Sequence, residues 1–65
     1  MKLVVNGVER ELGAPDLASL LAALELADAK VATALNGEFV PERKRSRTLI
    51  FNGDRIEIVA PRQGG

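Results

Sequence analysis

The amino-acid sequence predicts an α+β domain with one helix packed across one face of a mixed sheet. Three observations carry that expectation. Asn-Gly pairs stand at 6–7, 36–37 and 52–53, and both positions of such a pair tolerate the positive φ that tight hairpin turns require. A single leucine stripe, Leu17, Leu20, Leu21 and Leu24, has the i, i+3, i+4, i+7 spacing of one helical face. The chain has 65 residues, enough for one small core and no second domain.

The first turn predicts a hairpin. A two-residue loop at Asn6-Gly7 pairs Val5 with Val8, Leu3 with Arg10 and Met1 with Leu12, which puts five apolar residues and one arginine on a common face. The other face receives Lys2, Val4, Glu9 and Glu11, with Lys2 opposite Glu11. Gly13-Ala14-Pro15 then breaks the strand, and Asp16 stands where a helix N-cap accepts orphan amides. The leucine stripe predicts a helix of about nine or ten residues ending near Glu25-Leu26, too short to persist without lying on the sheet.

Val31 to Leu35 reads as the third strand and Glu38 to Val40 as a short fourth, ended by Pro41, which lacks a ladder donor. The run Glu42-Arg43-Lys44-Arg45-Ser46-Arg47 reads as a loop too charged to bury. Thr48 to Phe51 leads into the third Asn-Gly turn and the last strand, Arg55 to Val59, with Ile50, Ile56 and Ile58 facing the core. Right-handed crossover rules bring that last strand beside the first. Residues 1–61 are thus expected to form the domain. Residues 62–65 are expected to be an extended, mobile tail, since Arg62-Gln63-Gly64-Gly65 has no apolar side chain to anchor it.

Composition removes several function classes. Nine basic and nine acidic residues give zero formal charge, so no uniform basic field attracts nucleic acid. Cysteine and histidine are both absent, which excludes disulfides, Cys/His metal sites, thiolate nucleophiles and an imidazole base. Two Phe with no Trp or Tyr offer no stacking platform for bases. No apolar run approaches the ~20 residues of a bilayer span, and the N-terminal residues are too short for a secretory signal. A soluble cytoplasmic protein is expected. Asp54 and Glu57 do not make an acid/base pair, because a turn carboxylate and a strand-surface carboxylate share no pocket.

The tail carries the clearest chemical signal. Gly64-Gly65 presents a carboxylate without a Cβ beside it, on two residues able to thread a narrow channel. Such a carboxylate is a poor electrophile until ATP activates it as an acyl-adenylate. The chain has no Gly-rich phosphate loop followed by Lys-Ser/Thr, so no cofactor is expected on this chain and ATP must be bound by a partner. The plain alternative is a chance pair of glycines.

The segments Met1-x-Leu-x-Val-Asn-Gly, Asp-Leu-Ala-Ser-Leu-Leu at 16–21, Val-Ala-Thr-Ala-Leu-Asn-Gly-Glu-Phe-Val-Pro at 31–41, Gly-Asp-Arg-Ile-Glu-Ile-Val at 53–59 and the final Gly64-Gly65 together resemble the ThiS family, the sulfur carriers of thiamine biosynthesis. The resemblance covers essentially the whole chain. It implies a ubiquitin-like β-grasp fold and a carrier that is not itself an enzyme. It also implies that an E1-like adenylating enzyme activates the Gly65 carboxylate, and that a sulfur donor such as a cysteine desulfurase system converts it to a thiocarboxylate. Thiazole synthase then receives the sulfur. The nearest rival is the small subunit of molybdopterin synthase, MoaD, which shares the fold and the Gly-Gly end. A ubiquitin-like protein modifier and a plain interaction module are further alternatives.

Two features remain as candidate partner surfaces. Alternation turns Leu49, Phe51 and Val59 outward, with Val4 on the neighbouring strand, which makes an apolar docking group. Arg43, Lys44, Arg45 and Arg47 make a basic cluster able to dock an acidic surface or clamp phosphate, with Arg43 and Arg45 as the named candidates. A solvated connector is the plainer reading of that cluster.

Overall fold

The computed structural model describes residues 1–60. The chain forms β1 (Lys2–Val5), β2 (Val8–Glu11), α1 (Leu17–Ala23), β3 (Ala32–Leu35), β4 (Glu38–Val40), a 3₁₀ helix (Glu42–Arg47) and β5 (Arg55–Val59). The sheet order is β2-β1-β5-β3-β4. The last strand lies beside the first and parallel to it, while the other pairs are antiparallel. The expected tail, 62–65, lies outside the described residues.

Two Asn-Gly turns are the expected hairpins. Asn6 and Gly7 take φ of 51° and 80°, Asn36 and Gly37 of 50° and 87°, the double positive φ of a type I′ turn whose twist suits the flanking strands. The first fixes the predicted register, with Val5 opposite Val8, Leu3 opposite Arg10 and Lys2 opposite Glu11. The expected apolar face is only half built, however. Leu3 and Val5 are buried, whereas Val8, Met1 and all of β2 are exposed. A seven-residue helix spans roughly 10 Å, and its stripe packs against the central strands, leaving the β2 edge uncovered.

The third Asn-Gly pair does something else. Only Gly53 has positive φ, at 90°, and the Asp54 N–H donates to the Phe51 carbonyl at 3.1 Å. The Lys2 N–H donates to Asn52 Oδ1, and the Gly53 N–H to the Lys2 carbonyl, both at 2.7 Å. The turn is therefore a clip on the start of β1. The preceding residues make no full strand. They run beside the helix entry, where the Leu17 N–H donates to the Thr48 carbonyl, the Ile50 N–H to the Pro15 carbonyl, and Leu49 bridges Asp16.

Helix α1 starts as its sequence dictates. Asp16 caps it, its Oδ1 accepting from the Ser19 N–H at 2.7 Å. It ends at Ala23, two to three residues earlier than the stripe predicts. Leu24 is the cap, the Glu25 N–H reaches the Ala22 carbonyl, and the Leu26 N–H the Leu21 carbonyl at 2.8 Å. This paired bonding is a Schellman motif. Its left-handed position is held by Glu25 at φ 61°, where glycine is usual, so the sequence carries no stop signal there.

The core gathers Leu3, Val5, Leu17, Leu20, Ile50 and Ile56 with Ala14 and Val40. Full burial of each large side chain contributes about 1.5–3 kcal/mol. Leu12, Leu24, Leu35 and Ile58 pack on the margin. No helix among the described residues is long and apolar enough to cross a membrane.

Candidate functional site

Gly64 and Gly65, on which the expected chemistry rests, lie outside the described residues. The site is approached through the strand that leads to them. β5 is central in the sheet, flanked by β1 and β3, and its last residue, Val59, precedes Gly65 by six positions. Six extended residues reach at most ~20 Å. A surface near Val59 is therefore within that distance of any channel that receives Gly65.

That surface is apolar. Strand alternation sends Ile56 and Ile58 to the helix side and Glu57 and Val59 to the open side. Val59 pairs with Ala32, and Ala34 pairs with both Glu57 and Phe39. Ala32, Ala34, Phe39 and Val59 thus share one face and line a shallow groove with Thr33 and Glu57. Phe39 is 70% exposed and Val59 62%. The sequence reading missed Phe39. Its signal was available, since the Asn36-Gly37 turn pairs Leu35 with Glu38 and so turns Phe39 away from buried Val40.

The expected docking group of Leu49, Phe51, Val59 and Val4 does not form one patch. Leu49 and Phe51 are exposed, but they flank the helix entry and the start of β1. Val4 is half-buried and pairs with Arg55 at the opening of β5, four residues and roughly 13 Å along the strand from Val59. The grouping fails because 48–51 does not continue into β5 as a hairpin partner. The Asn52-Gly53 clip intervenes.

The basic run is also divided. The expectation that it is too charged to bury fails at Arg45, which is only 8% exposed. The run coils into the 3₁₀ helix and turns this side chain inward. Arg45 Nε donates to Thr33 Oγ1 at 3.0 Å and Nη2 to the Val31 carbonyl at 2.6 Å, while the Thr33 hydroxyl donates to the Val40 carbonyl at 2.8 Å. These bonds tie the 3₁₀ helix to β3 and β4. Arg45 is committed to the fold, whereas Arg43, Lys44 and Arg47 remain on the surface. Among the described residues no group of three or more acidic side chains gathers as a metal site would require.

Comparison with known proteins agrees with this architecture. The model of the ThiS family matches residues 3–65. The crystal structure of a thiamine biosynthesis protein, ThiS, from Geobacter metallireducens superposes with a TM-score of 0.85 at 35% identity, covering all of both chains. A solution structure of a thiamine biosynthesis protein from the same organism gives 0.80 at 30% identity, over all of this chain and 88% of that one. A thiazole synthase of Paramagnetospirillum magneticum is 41% identical over 66 residues, and this chain spans only 20% of its length. With the helix-on-sheet order, both type I′ hairpins and a family match over nearly its full length, the chain belongs to the ThiS family of ubiquitin-like β-grasp sulfur carriers.

Proposed function

We propose that this chain carries sulfur for thiazole formation as a thiocarboxylate on Gly65. The observation behind the reading is the family match through residue 65, combined with a Gly64-Gly65 end that follows the central strand. An E1-like partner binds ATP. A Gly65 carboxylate oxygen attacks the α-phosphorus, the bond to pyrophosphate breaks, and an acyl-adenylate forms. The persulfide of a donor such as a cysteine desulfurase system then displaces AMP to give an acyl disulfide. A second thiol cleaves its S–S bond, forming a disulfide with the donor sulfur and releasing the thiocarboxylate, which thiazole synthase consumes. The chain is a substrate and carrier in this scheme, and the nucleotide is held by its partner in the cytoplasm.

Attack requires the carboxylate to approach phosphorus within about 3–3.5 Å inside a narrow channel. A Cβ at either terminal glycine widens the chain and restricts φ. The apolar face of Phe39, Ala32, Ala34 and Val59 is the docking surface in this proposal, because it adjoins the end of β5, six positions before Gly65.

The test is pyrophosphate exchange with the purified adenylating partner and ATP, followed by intact mass after adding a sulfur source. Deleting Gly65 is expected to abolish exchange and the oxygen-to-sulfur mass change while the denaturation midpoint stays at the parent value. Gly65→Ala should slow activation severely and Gly64→Ala somewhat less. Normal exchange by the deletion variant would overturn the reading.

A further inference from the structure

We infer that Asn6 is a positioning residue for the Gly65 chemistry, its carboxamide fixing the line along which the chain leaves β5. The inference rests on the carrier reading above. It starts from an asymmetry in how β5 is held. On its β3 side the pairing runs to the end, with Ala32 opposite Val59. On its β1 side it stops at Val5 opposite Ile56, because the chain turns away at Asn6-Gly7 into β2.

The Asn6 N–H still donates to the Ile56 carbonyl at 2.9 Å. In a continuing parallel ladder the next two bonds to Ile58 would come from the carbonyl of residue 6 and the N–H of residue 8. Val8 is instead paired across the hairpin with Val5. The Asn6 side chain takes both places. The Ile58 N–H donates to Asn6 Oδ1 at 2.7 Å, and Asn6 Nδ2 donates to the Ile58 carbonyl at 3.1 Å. A primary carboxamide has the donor and acceptor of a peptide group, so it extends the ladder where the main chain has left it. Without it the final residues of β5 are held from one side only.

A matched pair exists at the other end of the strand. The Arg55 N–H donates to Asn36 Oδ1 at 2.9 Å, the Asn36 N–H to the Arg55 carbonyl at 2.8 Å, and Asn36 Nδ2 to Asp54 Oδ1 at 3.1 Å. Both turn asparagines therefore grip β5, but only Asn6 grips the end that leads to Gly65. Asn36 is the internal control.

Asn6→Gly and Asn36→Gly each keep a residue suited to positive φ and remove one carboxamide. With the full chain, the purified adenylating partner and ATP, Asn6→Gly is expected to lower kcat of pyrophosphate exchange roughly tenfold, with KM within about twofold of the parent, since misplacement affects the reacting geometry and spares docking. Asn36→Gly should change neither by more than about twofold, by the same reasoning. Amide hydrogen exchange at Ile58 should accelerate in Asn6→Gly alone. Asn6→Asp, which also suits the turn and puts an acceptor-only carboxylate oxygen where Nδ2 donated to the Ile58 carbonyl, is expected to lower kcat in the same sense and serves if the glycine variant does not fold. Equal kcat losses in the two glycine variants would reduce Asn6 to a stability residue and overturn the inference. So would a parent-like kcat with accelerated Ile58 exchange. A Gly65 deletion run in parallel separates the two ideas. If it exchanges pyrophosphate normally, the carrier reading falls; if it is inert while Asn6→Gly behaves as the parent, only the positioning role falls.

Discussion

The two faces of the sheet are built from the same alternating strands, yet they meet different fates. Toward the helix point Leu3, Val5, Thr33 and Ile56, all buried. Away from it point Phe39 and Val59, equally apolar in kind but mostly exposed. Helix α1 accounts for the difference, since it covers one face and the described residues supply no second layer for the other. Burial on the covered face decides whether the domain folds. On the open face an apolar side chain adds little to folding, so its presence is free to answer to a partner.

The largest expected effect comes from the covered face. Leu20→Ala removes a fully buried side chain and should cost about 2–5 kcal/mol, much of what so small a core supplies. Leu24→Ala, on the margin, should cost less. Urea melts of the two variants check the ranking, and curves that overlay the parent would show that the stripe is not packed on the sheet.

Next comes the contrast within the basic run. Arg45→Ala should lose about 1–3 kcal/mol through the Thr33 and Val31 bonds, whereas Arg43→Ala should stay within about 0.5 kcal/mol of the parent. Equal melts would return Arg45 to the surface. Smaller still, and opposite in sign, is Glu25→Gly. It relieves the left-handed strain at the end of α1 and should stabilise by about 0.5–1 kcal/mol, read as a higher thermal midpoint.

The smallest effect on folding belongs to the open face. Phe39→Ser should leave stability within about 0.5 kcal/mol, yet weaken binding to the adenylating partner at least ~10-fold if the face is the docking surface. Titration calorimetry with circular dichroism reads both. Unchanged affinity with an unchanged spectrum would move the docking site to another surface.

Much of this was legible because it depends on short-range chemistry. The I′ turns follow from Asn-Gly, the cap from Asp16, and the β1–β2 register from a two-residue loop whose period of two leaves no choice of partner. Even the neighbourhood of β1 and β5 follows from crossover handedness. The end of α1 was not legible, because Glu25 reads as a helix former and only the Schellman bonds place it in the left-handed region. The exposed apolar side chains were misgrouped because Phe51 and Val59 are separated by a turn that looks like a hairpin and acts as a clip.

The sequence by itself determined the order of the strands and α1, two of the three turns, the leucine stripe, and the absence of any cysteine or histidine chemistry, while the run read as a loop at 42–47 is a 3₁₀ helix. All of these are properties of residues a few positions apart, or of composition. Only the tertiary structure decided that Arg45 is interior, that Phe39 shares a face with Val59, and that Asn6 holds Ile58 from 52 positions away. Each of those contacts joins segments far apart in the chain, and the geometry that makes them favourable exists only once the sheet has assembled around β5.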